Sequence, residues 1–153
     1  MEIKLRVINK NNYRKVCELY PGKLNEKFIE KNHYSLLEFI YHKYKGECKA
    51  IYYNDKLVGF LMITEIMKPI YIHRFMIDEK FQNKGIGTKS FKYIINYIKQ
   101  NYNVKSILLS TDNPIAKSMY LKLGFKLRTD KKGKEYFKKH KEELMELVFL
   151  SSP

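Results

Sequence analysis

Tryptophan is absent from the 153 residues, cysteine occurs twice, proline four times and glycine seven times. Two cysteines, Cys17 and Cys48, are too few and too far apart for a disulfide framework or a thiolate metal site. The histidines, His33, His42, His73 and His140, show no ligand spacing, so no metal is expected. No run reaches the roughly 18 apolar residues of a membrane span. The start, "MEIKLRVINKNNYRK", lacks the apolar stretch of a signal peptide. A cytoplasmic chain with no membrane partner is expected, as one domain over residues 1–153 without repeats or linkers.

Acidic residues are also scarce, 16 against 30 lysines and arginines, a net charge of +14. Such a balance can mark a nucleic-acid partner. The bases are dispersed, however, with one dense stretch from Leu121 to Lys141, "LKLGFKLRTDKKGKEYFKKHK". A polyanionic small molecule would suit the same charge, so nucleic acid is not required.

What is present is a succession of short periodic segments. "EIKLRVI" alternates as a strand, and Asn11 or Asn12 can cap a short helix over "YRKVCELY". Ser35 and Glu38 have capping-box spacing before "LLEFIYHKY". "KAIYYNDKLVGFLMITEI" reads as a hairpin turning at Asn54-Asp55, and "IYIHRFMID" as a further strand. "SFKYIINYIKQNY" carries an apolar helical stripe. "KSILLST" is a strand, and "NPIAKSMYLKLGF" is a helix with Asn113 as cap, Pro114 in its first turn and Gly124 at its end. "FKLR" and "ELMELVFL" close the chain as strands, and "KEYFKKHKEE" between them is ambiguous. The order implies an α/β domain with a mixed sheet.

Chemistry concentrates in "EKFQNKGIGTKS", Glu79 to Ser90. The P-loop spacing G-x-x-x-x-G-K-[ST] is not met, and a dinucleotide fingerprint would need glycine where Ser90 stands. What remains is a strand end, an arm, two glycines that let backbone approach a ligand, and a helix starting near Thr88 whose free N–H groups favour an anion. On this chemistry alone the loop reads equally as a pyrophosphate cradle or as a turn.

Gln82-x-x-Gly85-x-Gly87 after an apolar strand resembles the Q/R-x-x-G-x-G/A motif of GNAT acetyltransferases. Asn113, Ala116, Tyr120, Gly124 and Phe125 resemble a second motif of that family, in the right order. "RFMIDEKFQNKGIG", "FIEKNHYSL" and "YYNDKLVGFLMI" are similar to segments of its bacterial spermine/spermidine-type members. Asn83 departs from the glycine usual there, and Lys131 to Lys141 do not align. The resemblance implies a GNAT fold: an α/β, mostly antiparallel mixed sheet of about 6–7 strands with about four helices.

It also implies acetyl-CoA as co-substrate and direct acetyl transfer to a small amine of the spermine, spermidine or diamine type. Acetylation of a protein N-terminus, a lysine or an aminoglycoside is the alternative within the class. A silent acyl-CoA- or nucleic-acid-binding regulator is the alternative outside it. On the family pattern, the backbone of Phe75, Met76 and Ile77 pairs with pantetheine, and Gln82, Asn83, Lys84, Gly85, Ile86, Gly87 and Thr88 hold the pyrophosphate. Tyr120 protonates the thiolate, and Asn113 either touches the cofactor or caps its helix. The attacking amine must first lose a proton, for which Glu65 and His73 are candidate bases. Glu26, Glu30 and Glu38 fall in the segment expected to bind substrate. A homodimer is compatible with the family.

Overall fold

The computed structural model describes residues 2–150. Strand β1 (Ile3–Val7) leads through α1 (Tyr13–Glu18) and α2 (Asn32–Tyr41) to the hairpin of β2 (Gly46–Tyr53) and β3 (Lys56–Thr64). Asn54 and Asp55, with φ of 48° and 65°, form the two-residue turn that matches strand twist. Strand β4 (Tyr71–Ile77), α3 (Ile86–Asn101), β5 (Ser106–Thr111) and α4 (Pro114–Lys122) follow, then β6 (Lys126–Leu127), α5 (Lys131–His140) and β7 (Glu143–Val148). The strands form one seven-stranded sheet in the order β1-β2-β3-β4-β5-β7-β6. Every pairing is antiparallel except β4 with β5.

Two features of β4 position the site. Its pairing with β3 slips: Met62 opposes Arg74, but the next residue, Ile63, opposes Ile72. His73 is therefore the extra residue of a bulge, and His73 and Arg74 both turn toward α2. On its other side β4 meets β5 at one register pair, Tyr71 with Leu108. Beyond that pair the strands part, and the edge of β4 toward Ile77 stays open.

The faces of the sheet are covered separately. Ile72, Ile77, Ile107 and Leu109 pack with Phe91, Ile94 and Ile98 of α3 and Tyr120 of α4. Phe60, Met62 and Met76 pack on the opposite face with Val16 of α1 and Leu36 and Phe39 of α2. Tyr71, Leu108 and Leu144 join Tyr136 of α5 on that same side.

Three sequence expectations change. Ser35 and Glu38 do not form a capping box. The helix starts at Asn32, the Ser35 N–H already bonds the Lys31 carbonyl, and Glu38 reaches His73 and Arg74 instead. Helix α3 begins at Ile86 rather than near Thr88, because Gly85 at φ 79° makes the turn. The ambiguous lysine-rich stretch is a fifth helix, α5. Asp130 caps it through the Gly133 N–H at 3.1 Å, and Arg128 bridges Asp130 and Glu146 of β7.

Gly133 lets α5 lie directly on the preceding turn, since an added Cβ would stand 2.0 Å from the Arg128 carbonyl oxygen. Gly133→Ala should therefore destabilise the fold by about 2 kcal/mol, read as a lower urea midpoint. An unchanged midpoint would mean that α5 is not held by this contact.

Candidate active site

The parting of β4 and β5 opens a cleft of about 1110 Å³, lined by the whole of β4, the α3 loop, the start of α4 and Glu142. At one end is the N-terminus of α3. The first amide to bond backward is that of Lys89, to the Gly85 carbonyl, so the N–H groups of Ile86, Gly87 and Thr88 have no backbone partner among the described residues. Unpaired amides at the positive end of a sixteen-residue helix can accept an anion. An added Cβ at Gly87 would meet only Ile77, at 3.8 Å, so space beside these amides is open.

The side chains of the loop do other work. Gln82 lines the cleft, but its amide donates to the Pro21 and Ile77 carbonyls at 2.7 and 2.8 Å. It fastens the loop to the end of β4. Asn83 holds a left-handed conformation, Lys84 bonds the Lys80 carbonyl, and Ile86 is buried in the core. Thr88 lines the cleft. Asn25, which the sequence reading passed over, spans the mouth: its side chain bonds the Pro21 carbonyl and the side chains of Gln82 and Asn113. No sequence signal marks it, because those partners converge only in the fold.

Asn113 caps α4 through the Ile115 N–H at 3.0 Å and also lines the cleft. The other end of α4 explains the Y-x-x-x-G-F pattern. Gly124, at φ 99°, donates to Leu121, and Phe125 donates to the Tyr120 carbonyl, a Schellman turn. The turn folds Phe125 back onto Tyr120, ring centroids 5.9 Å apart, and Phe91 packs on Tyr120 at 5.0 Å. Tyr120 is 8% exposed, lines the cleft, and its hydroxyl has no hydrogen-bond partner among the described residues. Burial pushes its phenol well above the ordinary tyrosine range, so it keeps its proton at neutral pH.

Phe75, Met76 and Ile77 lie on the open edge of β4, their side chains in the core and their backbone along the cleft. His73 lines the cleft too, but its nitrogens already face protein: Nδ1 is 3.4 Å from Thr64 Oγ1 and Nε2 is 3.4 Å from Glu38 Oε2. Burial and neighbouring Arg74 pull its pKa down to about 4, so the ring is neutral and a weak base. Glu65 does not line the cleft. It follows β3, with its N–H on the Lys45 carbonyl and its charge acting on Tyr102. Glu26 and Glu30 line the mouth, Glu26 accepting from the Tyr20 hydroxyl at 3.0 Å, while Glu38 sits behind His73 and Arg74. Glu142, which the sequence reading did not select, lines the cleft beside Ser110 of β5. Among the described residues no cluster of three His, Cys, Asp or Glu could hold a metal, and no helix is long and apolar enough to cross a membrane.

The depressed His73 pKa couples folding to pH. Between about 6.5 and 4 the unfolded chain binds a proton that folded His73 refuses, so stability is present above that window and lost as pH falls through it. Replacing His73 by Gln should make the unfolding free energy fall less steeply between pH 6.5 and 4, as measured by urea titrations. An identical slope in both proteins would mean the ring is not held neutral.

Residues 13–125 match the Acetyltransferase (GNAT) family. The spermine/spermidine N(1)-acetyltransferase of Bacillus subtilis is 29% identical over 138 residues, 82% of this chain and 88% of that protein. Among solved structures, the PaiA N-acetyltransferase of Thermoplasma acidophilum, crystallised with coenzyme A, superposes with a TM-score of 0.67 at 16% identity, over 97% of this chain and 100% of its own. A Bacillus subtilis acetyltransferase in complex with CoA gives a TM-score of 0.65 at 21% identity, over 97% and 99%. With a matched segment that runs from α1 through the Tyr120 turn, the chain belongs to the Acetyltransferase (GNAT) family and is an acetyltransferase.

Proposed function

We propose that this enzyme transfers acetyl from acetyl-CoA directly to a primary amine of a small polyamine-like substrate. The observation that carries the donor half is the alignment, in one cleft, of the free α3 amides, the open β4 edge and the unpartnered Tyr120 hydroxyl. In this reading the amides of Ile86, Gly87 and Thr88 take the pyrophosphate. The backbone of Phe75, Met76 and Ile77 pairs with the pantetheine amides. The clearance at Gly87 and the two coenzyme A-bound structures of the same fold support it.

The chemistry is one displacement. The amine nitrogen attacks the thioester carbonyl carbon, the carbon–sulfur bond breaks, and Tyr120 gives its proton to the departing thiolate. A phenol kept protonated by burial suits that role, because the same low-dielectric surroundings raise the proton affinity of the thiolate.

The acceptor half is supported by the name of the B. subtilis relative and by Glu26, Glu30 and Glu142 along the cleft. The overall charge of +14 repels a polycation at a distance, so these carboxylates must act at contact range. The test is coenzyme A release with spermine, spermidine, diamines, peptide N-termini, a lysine peptide and an aminoglycoside. Polyamines should turn over, and Tyr120→Phe should lower kcat on the order of 100-fold with acetyl-CoA affinity unchanged. Turnover of peptides or aminoglycoside alone would overturn the substrate reading, and a full rate in Tyr120→Phe would remove Tyr120 from the chemistry. Separately, Gly87→Val should fold normally and lose acetyl-CoA binding in calorimetry; normal affinity would refute the cradle.

A further inference from the structure

At the point where β4 and β5 part, side chains from three elements and a turn converge. The Tyr71 hydroxyl of β4 bonds Ser110 of β5, and Tyr136 of α5 closes a triangle, 3.2 Å from Tyr71 and 3.0 Å from Ser110. The Ser110 hydroxyl donates to Glu142 Oε1 at 3.3 Å, and Glu142 Oε2 has no hydrogen-bond partner among the described residues. Glu142 lies between α5 and β7 and lines the cleft. Tyr71 and Tyr136 pack on the sheet face opposite Tyr120, so the cleft has the phenol on one face and this carboxylate on the other. Direct transfer uses two such groups, one to take a proton from the amine and one to give a proton to the thiolate.

The other candidates are otherwise engaged. His73 has both nitrogens beside protein groups, Glu65 is outside the cleft, Glu26 takes the Tyr20 hydroxyl, and Glu30 is exposed at the mouth.

We propose that Glu142 is the general base and the ammonium-binding carboxylate of the acceptor site, held in place by the Ser110 hydroxyl. The proposal rests on the acetyltransfer reading above. An acceptor enters as R–NH3+ and gives one proton to Glu142. The resulting R–NH2 attacks, the carbon–sulfur bond breaks, and the thiolate takes the proton of Tyr120. The second nitrogen proton leaves as the amide forms and returns to Tyr120 through solvent, while Glu142 discharges its proton to water. The products are the N-acetylamine, coenzyme A thiol and one proton.

The groups facing Glu142 suit the assignment. Burial and Asp112 raise its pKa, while Ser110, Arg74 and His140 pull the other way. Tyr71 and Tyr136 complete its surroundings through Ser110. A carboxylate that lines a cleft, with one oxygen fixed by Ser110 and the other without a partner among the described residues, is placed to receive a proton from a ligand.

The test is Glu142→Gln, assayed with spermidine across pH. At pH 7 kcat/KM should fall on the order of 100-fold, with acetyl-CoA affinity unchanged. The deficit should shrink as the pH approaches the amine pKa of roughly 10, where neutral amine is already present. Thermal stability should be equal to or above that of the parent. Parent-like kcat/KM at pH 7 overturns the proposal, as does a deficit that is the same at every pH or is accompanied by a lower Tm. If the parent enzyme acetylates no amine of the panel, the acetyltransfer reading itself falls, and that result is separate from any behaviour of the variant.

Discussion

Strands β4 and β5 share one register pair, Tyr71 with Leu108, and the rest of the site depends on their separating there. A fully paired parallel ladder would bury the amides of β4 and close the sheet. The bulge at His73 bends β4 away from its neighbour, leaves its edge toward Ile77 unpaired, and creates a cleft that reaches both faces of the sheet. The helices on one face then contribute free amides and Tyr120, and α5 with the turn that follows it contributes Tyr136 and Glu142 on the other.

Much of what looks like a binding motif is a device for holding backbone in position. Gln82 fastens the glycine loop to Pro21 and Ile77, so the amides that follow it are aimed rather than mobile. Gly85 supplies the left-handed turn that starts α3. Asn113 caps α4, and Gly124 with Phe125 ends it in a turn that presses a ring against Tyr120. Each of these residues meets a geometric demand that few other side chains can satisfy. The groups left free between them along the cleft are mostly main chain.

Charge is organised on a shorter scale than the total suggests. The surplus of bases is spread over the surface, and the lysines of α5 surround a helix whose inward face carries Tyr136. The dense lysine stretch therefore has a structural reading. It is the outer side of a helix that brings one tyrosine to the hydroxyl triangle and leads the chain to Glu142. Its helical character was hidden because lysines dominate it, Tyr136 and Phe137 are its only large apolar residues, and Gly133 interrupts it. Only the contact of Gly133 with Arg128 makes that glycine useful.

The sequence by itself determined the order of elements, the Asn54-Asp55 hairpin, the glycine loop before α3 and the capped helix bearing Tyr120. All are local: turn chemistry, caps and apolar period act over a few residues. It also carried the family, because both motifs lie within such local devices. It could not determine which acids meet the cleft. Glu38 and Ser35 have the spacing of a capping box, yet α2 starts earlier and Glu38 turns to the bulge. Glu65 and Glu142 are equally plain in the sequence, yet the tertiary structure keeps one outside the cleft and sets the other within reach of Ser110, 32 residues away. That choice depends on long-range strand pairing, since β7 inserts between β5 and β6, and no spacing along the chain encodes it.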